Sequence, residues 1–255
     1  MCERRFDELD IVVVYIDGIQ YGPIHVIAAL GVDTQGYKHV LGLREGASEN
    51  AQVVKDLLAE LVERGLNPER RRLFVLDDSK ALRAGIHQVF GSATPIQRCR
   101  NHKVRNVLSY LPEERQADVE AAMKAAFKLK AEEGMARLEK LAQWLDREYP
   151  SAAGSLRESL AELFTINRLG LPKALRRCLG STNVIESPYS GVRQKTGRVK
   201  RWRDGQMALR WTASALQAIE KRLRRIMGYQ QLWMVDAALK DLNEKEQIVV
   251  NEKVA

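Results

Sequence analysis

Ile11-Val12-Val13-Val14-Tyr15-Ile16-Asp17-Gly18 is a run of β-branched and aromatic residues closed by an acid. Six apolar residues without polar alternation describe a strand covered on both faces, and so a strand in the middle of a sheet. Burying the Asp that follows is costly unless it is paired, hydrogen-bonded or metal-bound. A second run, Leu73-Phe74-Val75-Leu76, leads into Asp77 in the same way. Two strand-end carboxylates point to one shared cation.

Beyond Asp17, Ile24 to Val32 reads as a second strand, Asp33-Thr34-Gln35-Gly36 as a turn, and Tyr37 to Leu43 as a third strand. Short connections make these three an antiparallel meander. His25 and His39 lie on the strands without neighbouring partners in sequence and read as structural. Gly46-Ala47-Ser48 opens a helix with Glu49 and Asn50 in its first turn and Val53, Val54, Leu57, Leu58, Leu61 and Val62 at helical spacing; Gly65 stops it. Pro68 and Arg70 to Arg72 lead into the strand before Asp77. Ser79 caps a further helix through Phe90, and Pro95 to Arg98 forms a short strand. The order to this point is β-β-β-α-β-α-β.

From Asn101 to Leu179 the pattern is helical only. Pro112-Glu113-Glu114 is a helix start, Glu132 to Tyr149 carries Leu138, Leu141, Trp144 and Leu145 as a core stripe, and Pro150 to Gly154 breaks it before another amphipathic helix. In Gly180-Ser181-Thr182-Asn183-Val184-Ile185-Glu186-Ser187-Pro188, proline is tolerated only in the first turn of a helix, which puts Glu186 at or just before a helix start. There it either complements the helix dipole or binds metal. Gln206 to Ile226 reads as one helix with Leu216, Ile219, Leu223 and Ile226 on a face, approached by Trp202 and Trp211, which read as packed side chains. After Asp236 the chain turns polar, and its last dozen residues are expected to fray.

With 45% hydrophobic residues, the 255-residue chain can bury a sizeable core. No apolar run approaches the roughly 20 residues of a membrane helix, and the N-terminus carries no signal-peptide pattern. Cys2, Cys99 and Cys178 are odd in number and widely spaced, against a disulfide framework. Cys99-x-x-His102 has the spacing of half a zinc site with no second Cys/His pair, so structural zinc is not expected. These features suggest a cytoplasmic protein, nucleoid-associated, without a membrane partner.

The net charge of +8 is unevenly placed: residues 166–225 hold 15 Lys and Arg against Glu186, Asp204 and Glu220, and the remainder carries −4. So one-sided a block suits a polyanion, nucleic acid ahead of a membrane surface. Glu186 is the one acid between Arg168 and Arg203, as befits a metal-binding carboxylate inside a phosphate-binding groove. Three gathered carboxylates repel one another unless divalent cations neutralise them. Two Mg²⁺ ions roughly 3.5 to 4 Å apart can activate an attacking oxygen and stabilise a leaving one at a phosphodiester, with carboxylates and waters as ligands.

Tyr15-Ile16-Asp17-Gly18, Leu76-Asp77-Asp78-Ser79-Lys80-Ala81-Leu82, Gln97-Arg98-Cys99-x-x-His102 and Ser181-Thr182-Asn183-x-x-Glu186-Ser187, in that order, resemble the mutator-type family of bacterial insertion-sequence transposases. The resemblance runs from about Asp7 to about Val235. It implies an α/β, RNase H-like mixed sheet with flanking helices and an all-α insertion between the last strand and the Glu-bearing helix. The expected divisions are a first core part over 1–100, the insertion over 101–180, C-terminal core helices over 181–235 and a polar tail over 236–255.

The same resemblance implies an Asp-Asp-Glu triad of Asp17, Asp77 and Glu186, both catalytic and metal-binding, using Mg²⁺ with Mn²⁺ as substitute. Such enzymes cleave at transposon ends and pass the freed 3′-hydroxyl to target DNA without a covalent protein intermediate, as homo-oligomers when active. Cys99 and His102 match a family signature and support the site by positioning DNA or shaping it; otherwise they are a core thiol and a helix-start residue. Asn183 is a further supporting candidate. Arg193, Lys195, Arg198, Lys200, Arg201 and Arg203 are the expected contacts to double-stranded DNA.

Two departures stand out. Asp78 occupies a position where the family usually has Gly; it is expected to point away from Asp77 while its charge perturbs metal affinity. Family members also carry an N-terminal region that binds terminal repeats, whereas this chain starts just before the first strand, so a catalytic fold lacking end recognition is expected. Rival readings are a non-catalytic DNA-binding remnant that interferes with intact copies and a host repair nuclease on the same fold.

Overall fold

The computed structural model describes residues 4–46 and 50–242. The apolar run becomes β1 (Ile11–Tyr21), buried at every residue from Ile11 to Asp17. It pairs antiparallel with β2 (Ile24–Asp33), which pairs antiparallel with β3 (Lys38–Glu45). At the turn between β2 and β3, the Asp33 carboxylate accepts from the backbone N–H of Gln35 and Tyr37, both at 2.9 Å, and Gly36 takes φ 86°. Such a positive φ is what glycine supplies without steric cost.

On the other edge of β1, β4 (Leu73–Leu76) runs parallel, and β5 (Ile96–Arg98) runs parallel to β4. The sheet order is therefore β3-β2-β1-β4-β5. One expectation is corrected here. β1 does not stop at Asp17, because its pairing with β2 continues through Tyr21 after β4 has ended at Leu76.

Helix α1 (Ala51–Glu63) follows β3, and α2 (Lys80–Phe90) follows β4. The expected helix start at Ala47, Ser48 and Glu49 lies outside the described residues. Asn50 is the cap rather than a first-turn residue, its side chain accepting from Gln52 N at 3.0 Å. Ser79 caps α2, as its position before the apolar pattern suggests. The two helices lie close together at Gly85, where an added Cβ would sit 2.6 Å from Val54 Cγ1.

A helical block follows: α3 (Arg100–Leu108), α4 (Glu113–Ala126), α5 (Ala131–Leu145), α6 (Pro150–Arg157), a 3-10 turn at Glu162–Phe164, α7 (Thr165–Arg168) and α8 (Lys173–Leu179). Its own apolar cluster runs from Val104 to Phe164, while Ile166, Leu171, Leu175 and Leu179 join the cluster on the sheet. Pro150 opens α6 instead of breaking the chain, since the missing N–H costs nothing in a first turn. Trp144 is not in the core stripe: it is 46% exposed, one position off the buried line of Leu138, Ala142 and Leu145.

Helix α9 (Asn183–Thr196) carries Glu186 as its fourth residue and Pro188 as its sixth. Glu186 thus lies in the first turn, near the expected helix start, with its N–H bonded to Thr182 O at 3.0 Å, while Pro188 falls deeper than a first turn. A proline this deep costs about 3 kcal/mol or more in an isolated helix. Burial of Val184, Ile185, Tyr189 and Val192 against the sheet offsets that cost.

Helix α10 (Gly205–Glu220) is capped by Asp204 and ends before Leu223 and Ile226, despite their helical spacing. The chain is instead drawn to the β2–β3 turn, where Ile226 N donates to Gly36 O at 3.1 Å and the Arg225 guanidinium lies 4.1 Å from the Tyr37 ring centroid. Trp202 packs on Tyr21, ring centroids 4.5 Å apart, whereas Trp211 is 44% exposed. Residues 233–242 are helical and Leu239 is buried, so the packed chain continues past Asp236. The expected fraying of the last dozen residues falls outside the described residues. No helix among the described residues is long and apolar enough to cross a membrane.

Candidate active site

Side chains alternate across a strand. In β1, Val13, Tyr15 and Ile19 join the apolar cluster formed with α9 and α10, while Val14 and Ile16 join the one formed with α1 and α2. Asp17 shares the parity of Tyr15 and Ile19 and therefore lies on the α9 side. In β4, Leu73 and Val75 belong to that same side and Phe74 and Leu76 to the other, so Asp77 continues the first row. The parallel register Ile16 to Leu76 brings Asp17 and Asp77 next to each other on neighbouring strands.

Across from them stands Glu186 on α9. Two residues of this helix touch the acid pair's surroundings: Glu186 through its charge, and Tyr189 through its hydroxyl, which donates to Asp17 O at 3.1 Å. Asp17 is only 7% exposed. Burial, then the negative charges of Asp77 and Glu186, push its carboxyl up to about 7. Asp17 thus feels the charges of both other acids expected from the sequence, although the three come from two strands and a helix far apart in the chain.

A second group adjoins them. Cys99 Sγ, a ring nitrogen of His102 and a carboxylate oxygen of Glu186 lie within 4.8 Å of one another. Cys99 precedes α3, its N–H bonded to Leu76 O at 2.7 Å, so the signature is tied directly to the end of β4. At the centre is Thr182, fully buried, whose hydroxyl donates to Glu186 Oε1 and lies 3.3 Å from both Cys99 Sγ and His102 Nδ1. A hydrogen bond with Cys99 carries His102 up to about 9, helped by the charges of Asp17 and Glu186. Burial alone would raise the Cys99 thiol, but hydrogen bonds from His102 and Thr182 bring it below its ordinary value. A cationic imidazole beside the carboxylates is the electrostatic result. Cys99, His102 and Glu186 are the group among the described residues whose donor atoms stand close enough to share a metal ion, which His102 could join only after losing its proton.

Asp78 lies in a bend beyond the end of β4, where its carboxylate is taken up by the helical block. It pairs with the fully buried Lys103 and accepts from Asn106 Nδ2 at 3.0 Å and Ser159 Oγ at 3.1 Å. Lys103 Nζ also donates to Ser155 O at 2.7 Å. The extra negative charge is neutralised where it stands. Asn183, by contrast, is exposed and accepts weakly from Asn101 at 3.4 Å; its neighbour Thr182 is the residue inside the cluster. A Thr four positions before a Glu at a helix entrance was the available signal.

Arg193, Lys195, Arg198, Lys200, Arg201 and Arg203 line the second half of α9 and the link to α10, on the solvent side of the chain. An open cavity of about 450 Å³ is lined by Asp77, Asp78, Ser79 and His102 among others. Cys99 and Cys178 are free thiols, and Cys2 lies outside the described residues.

The sequence profile described as "Transposase, Mutator family" matches residues 9–225. Among curated relatives, the transposase for insertion sequence element IST2 of Acidithiobacillus ferrooxidans is 28% identical over 85% of this chain and 72% of its own length. The transposase for ISRM5 of Rhizobium meliloti (strain 1021) is 30% identical over 72% of this chain and 46% of its own. That for IS1081 of Mycobacterium tuberculosis is 25% identical over 87% and 53%. The chain therefore spans from about half to about three quarters of the relatives it resembles. With a profile match over most of its length, and with its motifs standing in the family's order, this chain belongs to the mutator family of insertion-sequence transposases.

Proposed function

We propose that this chain is the catalytic core of an Asp-Asp-Glu transposase on an RNase H-like fold, cleaving DNA at transposon ends and joining the freed 3′-hydroxyl to a target. The observation that carries the reading is the placement of Asp17 and Asp77 side by side on neighbouring parallel strands, on the face that packs against the helix bearing Glu186, with burial and the other two charges raising the Asp17 carboxyl to about 7. Such crowding is unfavourable without a countercharge. The sheet order β3-β2-β1-β4-β5, with a helical segment between β5 and α9, supports the fold part of the reading.

The donor set fits a hard divalent cation, because Asp17, Asp77 and Glu186 offer oxygen only. When bound, Mg²⁺ or Mn²⁺ supplies Lewis-acid polarisation of the phosphodiester and a lowered pKa for the attacking oxygen. Thr182 fixes the direction of the Glu186 carboxylate through its hydrogen bond. Tyr189 fixes the backbone at Asp17, and Ser79 N donates to Asp77 Oδ1 at 2.9 Å, holding that side chain at the strand end. The His102 cation is well suited to meet a phosphate oxygen entering beside the acids. Asp78 takes no part at the cation, being paired with Lys103.

The test is a nicking assay on DNA containing element ends, with Mg²⁺ or Mn²⁺. Cleavage is expected from the unaltered chain and its loss in Asp17→Asn, Asp77→Asn and Glu186→Gln. Unchanged cleavage in those variants contradicts the assignment.

A further inference from the structure

The basic segment visible in the sequence covers one flank of the carboxylates, at the far end of α9. A second basic surface lies at the near end, and its cations come from segments that no local charge count groups together. A cleft of about 710 Å³ opens between α3, α4 and α8 and reaches Gly180, Ser181 and Asn183, the entrance to α9. Arg100, Arg105, Lys124, Lys128, Arg176 and Arg177 line it, against the single acid Glu120. Glu120 is already paired with Lys124 at 2.6 Å. Among the described residues, no carboxylate pairs with Arg105, Lys128, Arg176 or Arg177.

The cleft is built, not merely decorated with surface charge. Arg100 forms its rear wall, bonded to Leu163 O at 3.0 Å and 2.9 Å and lying 4.8 Å from the Phe127 ring centroid. Burial, and to a lesser degree the neighbouring charge of Arg176, lower the Arg100 guanidinium to about 10. Arg176 Nε is buried without a hydrogen-bond partner among the described residues. Arg105 and Arg177 stand at the mouth.

We infer that this cleft holds the phosphate backbone of duplex DNA on the side of the carboxylates opposite to Arg193–Arg203. The inference rests on the catalytic reading above and adds the path that DNA takes. Helix α9, of 14 residues, is about 20 Å long at about 1.5 Å per residue. Basic surfaces at its two ends are separated by about six base pairs at roughly 3.4 Å each. A duplex engaging both is gripped on each flank of the bond near Glu186, which resists rotation about a single anchoring patch. An acidic protein segment would meet the same charge, but a cleft continuous with the entrance to α9 favours the substrate of that site.

Fluorescence anisotropy of a labelled duplex, titrated with the full chain across a range of salt concentrations, tests this. Arg105→Gln combined with Arg177→Gln should lower the slope of log affinity against log salt by nearly two, at roughly 0.9 for each phosphate no longer neutralised. Affinity at 0.1 M salt should fall roughly tenfold or more. Arg137→Gln with Lys140→Gln, on α5 outside the cleft, removes the same charge and should leave the slope unchanged. Arg177→Lys should retain the slope of the unaltered chain. If the cleft variant binds normally while Arg193→Gln with Arg201→Gln is impaired, the cleft assignment fails and the catalytic reading stands. If the unaltered chain binds no duplex at any salt concentration, both fail.

Discussion

The hydroxyl of Thr182 donates to the carboxylate of Glu186 one helical turn further along α9, while also touching the Cys99 thiol and the His102 ring at 3.3 Å. A single buried oxygen therefore couples the Cys-x-x-His segment to the third acid. Its single proton is shared between two acceptors, Glu186 Oε1 and Cys99 Sγ.

Thr182→Val keeps the shape and removes that oxygen. We predict loss of stability of about 1–3 kcal/mol from polar groups left without a partner. Cleavage should slow by roughly 10²-fold through misdirection of Glu186, with little change in DNA affinity, and Thr182→Ser should restore most of the rate. Urea unfolding and single-turnover nicking separate the two effects. A Val variant that folds and cleaves at the normal rate contradicts the coupling.

Asp78 and Lys103 tie the strand bearing Asp77 to the helical block. Because Lys103 is fully buried, removing only its partner strands a charge. Asp78→Asn and Lys103→Met should each destabilise by roughly 3–5 kcal/mol, and the double variant by much less than their sum. A double-mutant cycle by denaturant unfolding measures this. Additive losses would show that the pair does not interact as described.

Asp17 makes stability depend on pH in an unusual direction. Its folded carboxyl titrates at about 7, above the ordinary 3.8, so between those values the folded state binds more protons than the unfolded one. Stability of the metal-free chain should therefore fall as pH rises from about 4 to 7, with a limiting slope of about 1.4 kcal/mol per pH unit from this group. Asp17→Asn should flatten that slope, and Mg²⁺ should restore stability at pH 8. Unfolding midpoints at pH 5 and pH 8, with and without Mg²⁺, provide the check.

Much of the sheet was legible because its central strand has an unmistakable pattern: a strand apolar on both sides has no solvated face, and Ile11 to Ile16 carries no charged residue. The acids at positions 17 and 77 followed from that strand and its parallel neighbour. Where β1 ends was not legible, since the extent of a strand is set by its partner, here β2. Pro188 misled because local helix preference was outweighed by burial of the surrounding face against the sheet. The helical pattern through Ile226 misled similarly, as Gly36 and Tyr37 claim that segment through contacts distant in sequence. Lys103 carries no local mark of its role, and Thr182 only the faint one of standing four positions before Glu186, because both roles depend on what stands opposite them in space.

The central claim is that residues 17, 77 and 186 meet at one cation. Replacing that cation with Fe²⁺ and adding peroxide and ascorbate cuts the polypeptide where the metal is bound, and mass spectrometry locates the cuts. The account predicts scission near Asp17, near Asp77 and near Glu186 together, all suppressed by excess Mg²⁺. Scission confined to one of these segments, or centred on Cys99 and His102 and indifferent to Mg²⁺, would contradict it.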